Sequence, residues 1–172
     1  RMIPQHGGNI NEESRKLGVR IDELLDASAS LVPFTTDKAI RTHLKKILEI
    51  QSSLSAYPDC KYQDLKEAIG KWHGIDSGMV LPGNGAAELF TWAAKEARNE
   101  GVSCLPSPGF SDYARALTCW QAPYFYIQLP LTWPNNARHP FPIKPCAPVL
   151  WITNPHNPTG QLWSRESIEP LI

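Results

Sequence analysis

The sequence predicts an α/β fold in which a mainly parallel sheet carries helices on both faces. Short apolar runs alternate with helical stripes after Gly74, at about one strand and one helix per two dozen residues, which is typical of βα units. The 172 residues include 16 prolines and 11 glycines, so the elements are expected to be short and separated by sharp turns. Because right-handed crossovers place successive strands side by side, these units are expected to build one sheet.

Two amphipathic helices are predicted before this sheet. Over residues 37–50 apolar side chains recur at helical spacing, and Thr35, Thr36 or Asp37 is available to cap the first turn. This segment is predicted to form a surface helix. A second helical stripe covers residues 62–72, and Gly74 can adopt the left-handed conformation that often ends a helix.

The sheet itself is predicted from the pattern after Gly74. The elements, in chain order, are a strand at 79–81, a helix at 86–99, a strand at 102–105, a helix at 112–120, and strands at 124–129 and 149–152. Ser164 is placed to cap a final helix that Pro170 interrupts. The sheet predicted in this way is incomplete, because such sheets normally close with further strands.

Composition and charge exclude several classes of function. The 17 basic residues are balanced by 17 acidic ones, so no extended positive field attracts a nucleic acid. No apolar run approaches the roughly 20 residues that cross a bilayer, and the first residues lack the apolar core of a secretory signal. We therefore expect a cytoplasmic protein with no nucleic-acid or membrane partner, which binds a small molecule or another subunit.

The cysteines and histidines form no metal or redox motif in the sequence. The four cysteines are too far apart for a CxxC pair and are expected to be free thiols, mostly buried. The histidines show no ligand spacing, so no metal site is expected. His156 lies in a predicted loop and is expected to face solvent.

Three loop segments at the carboxyl ends of predicted strands are candidate binding elements. Gly83–Gly85 precedes a helix, where free N–H groups and the helix dipole favour a single phosphate, although a tight turn without a ligand is the alternative. Phe110 can stack on a planar heterocycle or belong to the core. Asn157, within the stiff Asn-Pro-His-Asn-Pro-Thr-Gly run at 154–160, can donate to a phenolate oxygen or serve a structural turn.

A phosphate cradle, a stacking aromatic and a rigid asparagine, in this order, predict a site for pyridoxal 5'-phosphate. The chain resembles the fold type I, aspartate aminotransferase-like enzymes that use this cofactor, especially the branch with histidinol-phosphate aminotransferase and threonine-phosphate decarboxylase. The run at 154–160 is the most specific shared motif, and Tyr-Pro-Asp at 57–59 and His-Gly-Gly-Asn at 6–9 also match. The resemblance implies the N-terminal part of the PLP-dependent transferase fold and a homodimer with shared active sites.

The resemblance also assigns roles to individual residues. Gly85 and Ala86 would offer backbone donors to the cofactor phosphate. Phe110 would stack on the pyridine ring, and Asn157 would donate to its phenolate oxygen. Tyr57 matches a tyrosine that reaches the cofactor phosphate of the neighbouring subunit.

The residues at 6–9 favour one substrate class. By resemblance His6, Gly7 and Gly8 would lie near the phosphate of a phosphorylated amino acid, which points to L-threonine O-3-phosphate decarboxylase of cobalamin biosynthesis. Where that enzyme has Phe-Ser-x-Asn-x-Asn-Pro, residues 27–33 read Ala-Ser-Ala-Ser-Leu-Val-Pro and lack both asparagines. Histidinol-phosphate aminotransferase or a related class I/II aminotransferase is therefore the alternative, and a non-catalytic remnant that binds a phosphorylated ligand is a second one.

The resemblance also divides the chain into parts. Residues 1–34 are expected to be an arm that contributes to the substrate site, and residues 35–172 the first half of a large cofactor-binding domain. The rest of that domain and a small C-terminal domain are expected to be absent. The Schiff-base lysine, carried in a Ser-x-x-Lys motif, is expected beyond Ile172, so we expect no catalytic residue in this chain and an inactive fragment.

Overall fold

The computed structural model describes residues 7–32, 34–131 and 139–171. The chain divides into two compact units, Arg1–Gln63 and Asp64–Ile172. The helices are α1 (Ile10–Leu17), α2 (Lys38–Glu49), α3 (Gln51–Ser55), α4 (Gln63–His73), α5 (Ala86–Glu100), α6 (Asp112–Cys119) and α7 (Arg165–Ile168). The strands are β1 (Ser103–Ser107), β2 (Tyr124–Gln128) and β3 (Val149–Leu150). Short 3₁₀ turns lie at Ile21–Glu23, Ser77–Met79 and Glu169–Leu171.

Two helices of the first unit begin at side-chain caps. The Asp37 side chain accepts from the N–H of Ala39 at 2.7 Å at the start of α2. The sequence-based prediction missed α1, which Asn9 caps through the N–H of Glu12 and which Gly18 ends with a φ of 65°. No described residue of this unit is buried, so both helices depend on local interactions within it.

The helix α4 confirms the second predicted helix. Before it, the Asp59 carboxylate accepts from the N–H groups of Lys61 at 2.9 Å and Gln63 at 2.7 Å. These two bonds hold the pKa of Asp59 below its usual range, and the bond from Gln63 has the larger effect. Gly74 ends the helix with a φ of 67°, as predicted.

The sheet is parallel and confirms the predicted α/β class. Within the described ranges it has three strands in the order β2-β1-β3. The central strand β1 pairs with β2 over its whole length, from Ser103 opposite Tyr124 to Ser107 opposite Gln128. It pairs with β3 over two residues, and the N–H of Trp151 adds a bond to the carbonyl of Cys104 at 3.1 Å. The predicted strand at 149–152 is therefore shorter than expected.

The predicted strand at Met79–Leu81 is wrong. A 3₁₀ turn covers Ser77–Met79, because the Asp76 side chain accepts from the N–H of Gly78 at 2.6 Å and bends the chain there. The side chains of Met79 and Leu81 are 76% and 69% exposed, so this apolar run does not enter the sheet.

The core of the second unit consists of two apolar clusters. The first lies between α5, α6 and β1, and its small residues let the helices approach closely; its buried members are Ala94, Ala97, Leu105, Tyr113, Ala116, Leu117 and Ala122. The second lies under the loops that follow β2 and β3; its buried members are Leu129, Phe141, Ile143 and Trp163. The two clusters together support the loops at the carboxyl ends of β1 and β3.

The cysteines can be compared with the expectation from the sequence. All four cysteines are free thiols, but the expectation that most are buried is wrong, since Cys60, Cys119 and Cys146 are exposed. Among the described residues no group of three or more His, Cys, Asp or Glu side chains is placed to hold a metal ion. None of the described helices has the length and apolarity that crossing a membrane requires.

Candidate functional site

The N-terminus of α5 is open to an anion. Gly85 is its N-cap residue and provides no side chain, so the first-turn N–H groups have no side-chain cap. The φ of Gly85 is 82°, which L side chains rarely adopt, and an added Cβ would meet no atom within 4 Å. Gly85 and Ala86 are both exposed. The helix dipole therefore presents its positive end to an accessible cradle of backbone donors.

The turn before α5 has a fixed shape. The Glu88 carboxylate accepts from the N–H of Asn84 at 2.6 Å and so ties the helix to the loop. A Cβ on Gly83 would lie 2.8 Å from Leu89 Cδ2, so a larger residue would displace this packing. The N–H of Gly85 donates to the carbonyl of Gly83 at 2.9 Å, so this predicted donor to the phosphate is already engaged. The donors that remain at this end are the N–H groups of the first turn of α5, beginning with Ala86.

Phe110 lies at the rim of the first apolar cluster. Its ring meets those of Phe90 and Tyr113 edge-on, with centroids 5.9 and 5.5 Å apart. Phe90 stands one helical turn after Ala86, so this contact places the Phe110 loop beside the first turns of α5. Phe110 is only half-buried, and its ring is therefore both packed and partly accessible.

His156 connects the two loops of the candidate site, and the expectation that it faces solvent is wrong. Its side chain is 5% exposed and its Nε2 lies 2.9 Å from the carbonyl oxygen of Pro108. The backbone N–H of His156 donates to the carbonyl of Gln161 at 2.7 Å. The imidazole thus links the loop after β1 to the loop after β3. The Asn-Pro motif placed His156 in the loop after β3. It did not predict the contact with the Pro108 carbonyl, which belongs to the loop after β1.

The two asparagines of this motif have different environments. Asn154 holds the loop closed, because its Nδ2 donates to the Trp163 carbonyl at 2.8 Å and its Oδ1 accepts from the Trp163 N–H at 3.0 Å. Asn157 is exposed, and its side chain has no hydrogen-bond partner among the described residues. The structural turn is therefore the role of Asn154, and the amide of Asn157 is available to a ligand.

Tyr113 is a supporting residue that sequence reasoning missed. Its hydroxyl lies 2.9 Å from Thr153 Oγ1, and its ring lies 4.9 Å from that of Trp151. These contacts hold α6 against the chain that leaves β3. The sequence gave no sign that Tyr113 supports the site, because its partners Thr153 and Trp151 are about 40 residues away in the chain.

Gly7 and Gly8 belong to the first unit and contact Ser28, which lies in the segment compared above with Phe-Ser-x-Asn-x-Asn-Pro. The N–H of Gly8 donates to Ser28 Oγ at 2.8 Å, and a Cβ on Gly7 would clash with the Ser28 carbonyl oxygen. Ser28 in turn donates to Asp26 through its hydroxyl and its N–H, and these bonds lower the pKa of Asp26. A cavity of about 450 Å³ lies here, lined by residues 7–10 and 24–28 among others. His6 lies outside the described residues.

Tyr57 also belongs to the first unit. It follows α3, and its side chain is 99% exposed. Within the second unit, the contacts of Phe110 with Phe90 and of His156 with Pro108 connect α5, the loop of Phe110 and the loop of Asn157. Gly7 and Gly8 line one cavity of the first unit.

Comparison with known families identifies the class of protein. The family model "Aminotransferase class I and II" matches residues 16–172. The chain belongs to this family. The enzymes of the family depend on pyridoxal 5'-phosphate, which is the cofactor that the sequence predicts.

Individual relatives point to the same branch. The threonine-phosphate decarboxylase of Salmonella typhimurium is 28% identical over 170 residues, which are 96% of this chain and 45% of that protein. The histidinol-phosphate aminotransferase of Natronomonas pharaonis is 28% identical over 179 residues, 96% of this chain and 46% of that protein. The crystal structure of the histidinol-phosphate aminotransferase from Clostridium acetobutylicum shares the fold, with a TM-score of 0.65 at 20% identity, over 86% of this chain and 42% of that one. The chain thus spans less than half the length of these proteins.

Proposed function

We propose that the second unit of this chain binds pyridoxal 5'-phosphate at the carboxyl ends of β1 and β3. The observation that carries this proposal is the contact of His156 Nε2 with the Pro108 carbonyl, at 2.9 Å. That contact joins the loop of Phe110 to the loop of Asn157, next to the open end of α5. When bound, the cofactor supplies an electron sink for a bond at the substrate Cα.

The phosphate of the cofactor is held by backbone donors of α5. A helix of 15 residues has a full macrodipole, and Gly85 allows the anion to approach without a side chain in the way. The Glu88 carboxylate accepts from the N–H of Asn84 and so fixes the turn before α5. The backbone N–H groups of the first turn, beginning with Ala86, then face the anion.

The ring of the cofactor is held by Phe110 and Asn157. Phe110 is oriented by edge contacts with Phe90 and Tyr113, so one ring face can stack on the pyridine without a large entropic cost. The neutral Asn157 amide donates to the phenolate oxygen without adding a competing charge. Both residues follow neighbouring strands of one parallel sheet, the usual place for ligands in this class of fold.

For the whole protein we propose the activity of an L-threonine O-3-phosphate decarboxylase. The similarity to the Salmonella typhimurium enzyme supports it, as does the serine at position 28, which matches the serine of the pocket segment of that enzyme. The complete protein would be cytoplasmic and dimeric, with the exposed Tyr57 reaching the phosphate site of a second copy. Residues 1–34 would form the substrate arm, and residues 35–172 the first half of the large domain.

A histidinol-phosphate aminotransferase is the second candidate. Two observations favour it: residues 30 and 32 are Ser and Val where the decarboxylase has asparagines, and the Natronomonas pharaonis enzyme is equally similar at 28% identity. The contact between Gly8 and Ser28 does not separate the two candidates, because both substrates carry a phosphate and the N–H of Gly8 is already bound to Ser28 Oγ.

Two assays on the complete gene product separate these candidates. The decarboxylase releases carbon dioxide from L-threonine O-3-phosphate, whereas the aminotransferase forms glutamate from 2-oxoglutarate and histidinol phosphate. Retained phosphate binding with neither activity would support the non-catalytic alternative. The chain itself has no Ser-x-x-Lys motif, so we propose that it is inactive alone and holds the cofactor without a specific covalent bond.

The link through His156 is tested on this chain by measuring its affinity for the cofactor. His156→Phe keeps an aromatic ring but removes the donor to Pro108, so the two loops lose their connection and cofactor binding weakens by about tenfold, the equivalent of one hydrogen bond. The matched control is His73→Phe, at an exposed position of α4. Equal affinities of the two variants would contradict the proposed role of the link.

A further inference from the structure

We infer that Cys104 and Cys146 form a dithiol site that reacts with low-molecular-weight disulfides and closes into an intramolecular disulfide. Their sulfur atoms lie 3.5 Å apart, which is contact distance without a bond. In the described part of the chain no other two cysteine sulfurs are in contact. The site is separate from the proposed cofactor site, and its test does not depend on the cofactor.

The two thiols differ in access. Cys104 lies on the central strand β1 and is fully buried, whereas Cys146 is exposed in the segment that leads into β3. Burial, with the neighbouring Cys146 thiol, raises the pKa of Cys104 to about 12. Because exchange requires an accessible thiolate, Cys146 reacts first and Cys104 second.

The reaction with oxidised glutathione balances as two exchanges. The Cys146 thiolate attacks one glutathione sulfur, a protein–glutathione S–S bond forms, and the first glutathione leaves and takes up a proton. Cys104 then loses its proton, attacks the Cys146 sulfur and expels the second glutathione. Two electrons pass from the protein thiols to oxidised glutathione, which becomes two reduced molecules.

The two sulfurs need a small further approach to form the bond. A disulfide of about 2.05 Å requires the sulfurs to approach by about 1.5 Å from their present 3.5 Å. The central strand β1 is held by ladders on both sides, whereas Cys146 lies outside the strands and is held by no ladder bond. The adjustment therefore falls on the exposed segment rather than on the sheet.

The disulfide would strengthen the weak edge of the sheet. The ladder between β1 and β3 has two residue pairs, Ser103 opposite Val149 and Cys104 opposite Leu150. A bond between positions 104 and 146 closes a long loop across this edge and lowers the entropy of the unfolded chain. We expect the oxidised second unit to melt several degrees higher than the reduced one.

The experiment treats the reduced 172-residue chain with oxidised glutathione at pH 8, quenches it with acid, alkylates it and digests it with trypsin. The four cysteines fall on separate tryptic peptides, 47–61, 99–115, 116–138 and 139–165. We expect peptide 99–115 cross-linked to 139–165, with the loss of two hydrogens. Cys60 and Cys119 are expected to carry glutathione.

Two variants make the test specific. In Cys146→Ser we expect Cys104 to remain a free thiol and the oxidant-induced rise in Tm to disappear. In the matched control Cys119→Ser the cross-link forms at an unchanged rate. Since positions 146 and 119 are both exposed, reduced Tm values near that of the parent chain are expected. The inference is overturned if other cysteine pairs form within about tenfold of this yield, or if positions 104 and 146 stay reduced.

Discussion

The two units of the chain use similar amphipathic patterns with different results. In the first unit the stripe of α2 stays open, with Ile40 and Leu44 53% and 52% exposed. In the second unit, α5 and α6 enclose Leu117 and Ala94 completely. A hydrophobic stripe therefore predicts a helix, but it does not say whether the unit that contains the helix buries it.

Local interactions have a larger part in the first unit. Lys16 pairs with Glu12 and Glu13 at 2.8 and 2.9 Å on the surface of α1. Exposed pairs of this kind contribute little free energy, and caps such as Asp37 contribute about 1 kcal/mol. The second unit relies instead on packing and on hydrogen bonds between elements, so substitutions there are expected to cost more.

The largest expected effect compares two leucines. Leu117→Ala leaves a cavity in the first apolar cluster and is expected to lower the free energy of unfolding by about 3 kcal/mol. Leu44→Ala, in the open stripe of α2, is expected to cost less than about 0.5 kcal/mol. Urea unfolding followed by tryptophan fluorescence and circular dichroism measures both values. Similar losses of unfolding free energy in the two variants would show that the apolar side chains of α2 are buried.

The next effect concerns the contact between α5 and α6. Arg115 forms a bidentate ion pair with the buried Asp112 and donates to the Ala87 carbonyl at 2.9 Å and Thr91 Oγ1 at 3.1 Å. Arg115→Ala leaves Asp112 without this partner, and we expect a loss of about 2 kcal/mol in the same unfolding measurement.

The control for Arg115 is another arginine on the surface. Arg165 pairs with Glu169 at 3.2 Å while 85% exposed, so Arg165→Ala is expected to change the free energy of unfolding by less than about 0.5 kcal/mol. If Arg115→Ala and Arg165→Ala lower the free energy of unfolding equally, the contact between α5 and α6 is not what stabilises α5.

A third effect appears at high pH. The Cys104 thiol has a pKa of about 12 when folded against 9.0 as a free group, so the folded chain binds the proton more tightly than the unfolded chain. The contribution of this thiol to the free energy of unfolding is therefore fully present below pH 9. It decreases between pH 9 and 12, by at most about 1.4 kcal/mol per pH unit. Unfolding of the parent chain and Cys104→Ala, under reducing conditions at pH 8 and 10, measures the difference in slope. Parallel slopes would contradict the burial of this thiol.

The smallest effect returns to the first unit. Asp37→Ala removes the acceptor for the N–H of Ala39 and is expected to cost about 0.5–1 kcal/mol, seen as a loss of helical signal without a change in the Tm of the second unit. Asp37→Asn keeps an acceptor and is the control. A shift of the main transition would show that α2 is coupled to the core.

The sequence predicted well the features that depend on local patterns. The helices α2, α4, α5 and α6 lie within a few residues of their predicted bounds, because each has a stripe and a recognisable stop. The segment at 79–81 has the composition of a strand, but strand formation needs a partner, and the Asp76 cap bends the chain instead. The helix α1 has few apolar residues, so its caps rather than its periodicity define it.

The candidate site was predictable only in part, because some of its contacts join residues that are distant in the sequence. Phe110 and Asn157 follow strands, and a parallel sheet brings such positions to one edge. The burial of His156 depends on the Pro108 carbonyl, 48 residues away, and no spacing rule predicts that contact. The different roles of Asn154 and Asn157 were likewise hidden, because they depend on the position of Trp163.

The central claim is that three segments of the second unit hold one phosphorylated ring, and cofactor affinity tests it most directly. Equilibrium dialysis of the 172-residue chain against pyridoxal 5'-phosphate and against pyridoxal compares the ring with and without its phosphate. The variants Gly85→Val, Phe110→Ala and Asn157→Ala are compared with Glu96→Ala, an exposed position on the same helix as the cradle. We expect each of the three to weaken cofactor binding by about tenfold or more, the control to leave it unchanged, and pyridoxal to bind less well. Equal binding by all four variants, or equal binding of the two ligands, would contradict the account.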